Sequence, residues 1–102
     1  MVLARVRGSV VATQKSEQLG GLKLLLLEKI DPRTMEGKKD FVVGIDGVGA
    51  NVGEIVFYAG GSSARMTEVT KGKPTDATIV AIVDSIESEG DFVYRKSEAE
   101  EG

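Results

Sequence analysis

The sequence predicts an all-β protein, a small antiparallel barrel of the OB type with one or two short helical turns. Three observations carry that expectation. Short segments alternate apolar with polar residues, or concentrate β-branched and aromatic residues, at the period of a strand. Glycine, 13 of 102 residues, gathers between those segments, where turns are needed. One further glycine interrupts the first segment and marks the kind of bulge that lets a sheet curl toward closure. A chain of this length is one domain, assigned to residues 1–95 with an acidic, disordered tail at 96–102. Roughly a third of the surface of its unfolded chain stays exposed, so a partner is a natural cover for the remainder.

In the first segment Val2, Ala4, Val6, Val10 and Ala12 fall on one face, and Arg5, Arg7, Ser9 and Thr13 on the other, with Gly8 as the interruption. Residues 14–21, QKSEQLGG, read as a connection. The run from Leu22 to Ile30 contains four consecutive leucines, a residue that favours helices. It is nevertheless short for a helix, is closely bounded by Gly20-Gly21 and Asp31-Pro32, and is apolar on both faces at its centre. It therefore reads as a strand covered on two sides, one cover being a neighbouring subunit. Leu25 and Leu27 are the leucines expected to be left exposed on a monomer.

Residues 31–40 read as an exposed loop, and Phe41 to Ile45 begin a third strand. Glu54 to Ala59 form a fourth, with Ile55, Phe57 and Ala59 opposite Val56 and Tyr58. In the connection after Gly60, Ser62 or Ser63 can cap a short helical turn. Lys71 to Thr75 form a turn, Thr78 to Val83 a fifth strand and Phe92 to Tyr94 a short sixth.

Composition excludes several kinds of function. The chain has no cysteine or histidine, which removes disulfides, thiolate zinc sites, cysteine nucleophiles and imidazole bases. Neither a catalytic residue set nor a metal or cofactor site is expected. Sixteen acidic against thirteen basic residues leave a net charge of -3, giving no overall attraction to nucleic acid or anionic lipid. The longest apolar run, Leu24 to Leu27, is far too short to span a bilayer, and a soluble, cytoplasmic protein is expected.

The segment GVGANVG, residues 47–53, invites comparison with a phosphate-binding loop. A dinucleotide fingerprint spaces its glycines as G-x-G-x-x-G and opens a helix. Here Gly47, Gly49 and Gly53 are one residue too long at the last step, and Glu54-Ile-Val-Phe-Tyr continues as a strand. The loop joins strand to strand, and its glycines permit positive φ and close backbone approach.

Several ordered blocks then carry a family likeness: RVRGSVVAT (5–13) with Lys15, Gly21-Leu-Lys-Leu-Leu25, VGIDGVGANVGEIV (43–56), GSSAR (61–65) and DATIVAIVDSI (76–86). Together they resemble the pentameric vertex proteins of bacterial microcompartment shells, a family that includes the carboxysome and ethanolamine-utilisation vertex proteins. The likeness runs from about Val2 to Ile86. It implies an OB-like barrel that assembles as a cyclic homopentamer, meets hexagonal shell proteins and closes the corners of a polyhedral shell. The family pattern has a glycine where Asn51 stands here, and asparagine tolerates left-handed backbone better than most residues.

The resemblance assigns a subunit interface or axial loop to Gly47, Gly49, Ala50, Asn51, Gly53, Glu54, Ser62, Ser63, Arg65 and Asp84. Asp46, Glu54 and Asp84 lie in or beside apolar strands and would serve as acid and base if paired in a pocket. An ion pair, with Arg65 as the cation, needs fewer assumptions. Arg5 and Arg7 read as solvated charges. The alternative function is an OB module holding single-stranded nucleic acid or a peptide, against which stand the acidic balance and only five aromatic residues.

Overall fold

The structure, a computed structural model, describes residues 1–11, 23–60 and 77–97. Five strands form a closed barrel in the order β1-β2-β3-β5-β4: β1 (Val2–Val10), β2 (Lys23–Ile30), β3 (Gly37–Asp46), β4 (Ile55–Gly60) and β5 (Ala77–Ile82). A hairpin of β6 (Ser85–Ser88) and β7 (Asp91–Arg95) adds two strands where one was expected. Its two-residue turn uses Glu89 and Gly90 at φ of 53° and 88°, the left-handed pair that matches strand twist. The expected connection at 14–21, the helical turn at Ser62 or Ser63 and the turn at 71–75 lie outside the described residues.

Neighbouring strands pair antiparallel except at the seam, where β3 meets β5 in parallel through Ile45↔Thr78 and Asp46↔Ile79. The expected antiparallel barrel thus closes through one parallel contact, because β4 lies on the far side of β5. Inside, Ala4, Val6, Leu25, Leu27, Val56, Tyr58, Ala77 and Ile79 form the core together with Ala50 from the loop after β3. A second cluster lies outside the barrel wall. There Tyr94, with Ile86 packed beside it, joins Leu3, Ile30, Ile55 and Val83, so the hairpin covers the outer faces of β1 and β4.

Two expectations about facing are corrected. Leu25 and Leu27, expected to be exposed, fill the barrel at 2% and 0% exposure, and Leu24 and Leu26 take the outer face. Both phases of β2 are apolar, so pattern alone does not choose between them; the ladder to β1 and β3 does. In β1 the register shifts between Val6 and Gly8, where the bulge was predicted. The extra residue reverses the alternation, so Val10 pairs with Leu24 on the outside instead of following Val6 inward.

β3 also begins earlier than expected, at Gly37, which leaves only residues 31–36 as the connection. That turn is organised by Asp31, whose carboxylate accepts the Arg33 and Thr34 amides and whose backbone bonds to Met35 and Glu36. The start of β3 is held by Glu28: its carboxylate accepts the Lys39 amide at 2.9 Å and the Arg7 Nε–H at 2.7 Å.

Candidate assembly interface

The loop from Asp46 to Glu54 is clamped at both ends. Asp46 ends β3 with its side chain 1% exposed. One carboxylate oxygen accepts the amides of Val48 and Gly49, each at 3.0 Å, and the other accepts the amide of Ala50 at 2.9 Å. A short carboxylate folding back onto amides two to four residues on is the mechanism of an Asx turn, which explains why the chain reverses here. Lys23 at the start of β2 secures the same end, with Nζ 3.5 Å from the Asp46 carboxylate and 3.0 Å from the Ala50 carbonyl. The Ala50 methyl is wholly buried in the barrel core and plugs the loop into it.

At the other end the Gly53 amide donates to the Val6 carbonyl at 2.8 Å, and the Val6 amide donates to the Glu54 carbonyl at 2.9 Å, which extends the β1–β4 ladder into the loop. Arg5 Nη1 donates to the Gly53 carbonyl at 2.8 Å. The Glu54 carboxylate accepts the Asn51 amide at 2.6 Å and lies 2.7 Å from Lys96 Nζ. Chiefly through the Lys96 ammonium, and also the Asn51 amide, the Glu54 carboxyl is held below its ordinary range against the opposing effect of burial.

Positive φ in this loop falls on Gly49 at 82° and Gly53 at 95°. Asn51 is not among the left-handed residues, so its tolerance for that region is not what preserves the loop. Among the described residues nothing lies within 4 Å of a Cβ built at either glycine, so there the need for glycine is conformational. Beside Asn51, the clamped loop presents two apolar side chains outward: Val48 is 40% exposed and Val52 65%.

The residues expected to form one site are therefore partly together. Gly47, Gly49, Ala50, Asn51, Gly53 and Glu54 form the loop, and Asp84 joins them through Lys96, whose amide donates to the Asp84 carbonyl at 2.8 Å while its side chain pairs with Glu54. Ser62, Ser63 and Arg65 lie outside the described residues. The carboxylates Asp46 and Glu54 are engaged by Lys23 and Lys96, two residues that the sequence pattern did not single out. Arg5 and Arg7, read as solvated charges, instead hold the Gly53 carbonyl and the Glu28 carboxylate. Among the described residues no group of three acidic side chains is placed to hold a metal ion.

The arrangement is that of a small closed barrel whose clamped loop exposes Val48 and Val52. Residues 1–84 match the family described as ethanolamine utilisation protein EutN/carboxysome, and the chain belongs to that family. It is 41% identical over 98 residues to the carboxysome shell vertex protein CcmL of Nostoc sp., covering 96% of this chain and 97% of the relative. The solved structure of CcmL from Gloeobacter violaceus superposes with a TM-score of 0.89 at 36% identity, covering 95% of this chain and 99% of that one. The pentameric microcompartment shell protein GrpN from Rhodospirillum rubrum superposes at 0.77 with 40% identity, over 86% of this chain and 99% of that one.

Proposed function

We propose that this protein is a structural shell component, a homopentamer that occupies the vertices of a polyhedral bacterial microcompartment in the cytoplasm and docks against hexagonal shell proteins. The observation that carries the reading is the agreement of nearly the whole chain, in sequence and in barrel geometry, with shell vertex proteins. A lattice of hexagonal tiles does not close without five-fold points, and a rigid pentamer supplies one. The role is structural, not enzymatic. The net charge of -3 argues against the nucleic-acid alternative.

Within the ring, the loop of Gly47, Gly49, Ala50, Asn51, Gly53 and Glu54, together with Asp84, lies at a subunit contact or at the axis, and Ser62, Ser63 and Arg65 contribute to the same region. Native mass spectrometry is expected to give five copies. Deleting the protein from its host is expected to leave shells elongated or open while the encapsulated enzymes stay active. A stable monomer at micromolar concentration, or normal shell closure after deletion with no substitute vertex protein, would overturn the reading.

A further inference from the structure

Asp46 is followed by Gly47, the single Asp-Gly pair of the chain, and there is no Asn-Gly pair. In an Asp-Gly pair the side-chain carboxyl is open to attack by the next backbone nitrogen, because glycine has no side chain to hinder the approach and leaves the backbone free to turn. The reaction needs no reagent but water. The Gly47 nitrogen bonds to the carboxyl carbon of Asp46 and gives up its proton, and one carboxyl oxygen leaves as water with that proton and the carboxyl's own. Water then opens the cyclic imide. At one carbonyl it restores aspartate; at the other it yields isoaspartate, whose main chain is one carbon longer and whose carboxylate sits directly on Cα. In the folded chain both carboxylate oxygens of Asp46 are engaged, one by the amides of Val48 and Gly49 and the other by that of Ala50. The side chain is 1% exposed, although Gly47 itself is exposed. Attack comes from above the carboxyl plane and makes the carbon tetrahedral, so at least one oxygen must leave its donors. Those donors are not free to follow, since the Ala50 methyl is fixed in the core and Lys23 holds both the Asp46 carboxylate and the Ala50 carbonyl.

We infer that the clamp on Asp46 is also a chemical lock: it keeps Asp46 from isomerising while the loop is closed, and opening of the loop turns Asp46 into a modification site. Reaction then proceeds through the open loop, so its rate follows the fraction of molecules in which the loop is open. The change sustains itself. Isoaspartate at position 46 lengthens the main chain before Gly47 and shortens the arm that carries the carboxylate, so the amides of Val48, Gly49 and Ala50 lose their common acceptor and the Ala50 methyl loses its register with the core. A chain modified here cannot close the clamp again. An enzyme that methylates isoaspartyl carboxylates would take the chain as substrate only in that opened state.

Ageing the chain at neutral pH, folded and in urea, tests the lock. Isoaspartate at position 46 is read by peptide mapping with a protease that cuts before aspartate but not before isoaspartate, and by enzymatic methylation of isoaspartyl carboxylates. The folded parent is expected to accumulate it at least tenfold more slowly than the unfolded chain. In urea, Gly47→Ala should suppress most of the signal, which assigns it to this pair. Lys23→Ala removes the ammonium from the Asp46 carboxylate and the Ala50 carbonyl, and with the parent's circular dichroism it should age several-fold faster than the folded parent. If Lys23→Ala does not fold, Ala50→Gly, which withdraws only the methyl from the core, decides. A folded parent that ages as fast as the unfolded chain, or a folded clamp variant that ages at the parent's rate, overturns the lock. An unfolded chain that forms no isoaspartate at position 46 overturns the site itself.

Discussion

Replacing Asp46 with alanine isolates the clamp that shapes the loop. The carboxylate accepts three amides, at 3.0, 3.0 and 2.9 Å. A hydrogen bond to a charged group contributes about 1.5–3 kcal/mol net, but the three amides differ in their access to water. Those of Val48 and Gly49 are exposed and would be rehydrated, so each loses roughly 0.5 kcal/mol. The Ala50 amide is part-buried and fixed by a methyl in the core, so it loses the whole bond, about 1.5–3 kcal/mol. Together the loss is roughly 2.5–4 kcal/mol. A domain of this size loses about 4–8 °C in Tm per kcal/mol, which predicts a drop of roughly 10–30 °C. Asp46→Asn keeps one oxygen for two of the amides and should fall between parent and alanine. Thermal melts followed by circular dichroism must use one protomer concentration, because assembly itself raises Tm. An alanine variant melting within about 3 °C of the parent would refute the clamp, since the lower end of its summed loss already predicts roughly 10 °C.

Other substitutions probe separate parts of the structure. Gly53→Ala must adopt a φ of 95° and should cost roughly 1–2 kcal/mol in urea unfolding, whereas Gly8→Ala, whose methyl meets none of the described residues and which has no positive φ, should leave the fold unchanged; equal midpoints would remove the conformational reason for Gly53. Gly37→Ala would drive a methyl into the Glu28 carboxylate and lower Tm, and Glu28→Ser in the same chain should recover part of that loss, so strictly additive melts would refute the clash. The carboxyls of Glu28 and Glu54 both lie below their ordinary 4.5, Glu28 through the Arg7 hydrogen bond first and Glu54 through that of Lys96. Their stabilisation is complete above about pH 4.5 and lost as pH falls through the lower folded values, so urea midpoints should hold from pH 7 to 5 and decline below 4.5, less steeply in Lys96→Ala. Thr78 buries a hydroxyl with no partner among the described residues; Thr78→Val should raise stability by roughly 1 kcal/mol, and a loss of similar size would mean that the hydroxyl is bonded in the ring.

What could be read from the residues followed the range of the forces involved. Alternation in β1 as far as Val6, the bulge at Gly8 and the partition of Ile55, Phe57 and Ala59 from Val56 and Tyr58 are local consequences of the pleat, and they are present; beyond the bulge the expected facing of Val10 is reversed. The facing of β2 was not legible, because four consecutive leucines satisfy either phase and only pairing with β1 and β3 chooses one. Lys96 gave no signal either. It stands in a polar stretch, and it reaches Glu54 only because the hairpin folds back over β4. Glu28 was similarly hidden: a charge in an apolar strand suggests a partner, but the pairing of Arg5 with Glu28 across the strands is what brings Arg7 within reach.

The glycine loop shows how such hidden structure bears on function. Gly49 and Gly53 meet no crowding among the described residues, which require them for their φ values. The surrounding fixings, however, exceed what a turn of this length needs: Asp46 and Lys23 hold one end, Ala50 is plugged into the core, and Arg5, Val6 and Lys96 hold the other. β3 and β4 do not pair with each other, so the loop is held by these contacts and not by a hairpin ladder. Over-determination of this kind lowers the entropy lost when an outward side chain is fixed by a partner, which favours association without adding any contact. The side chains that gain from it are Val48 and Val52, both exposed on the loop. If the loop makes the proposed contact between copies, fixed presentation of these two apolar groups suits a ring that must close at five, since angular play at each joint would accumulate.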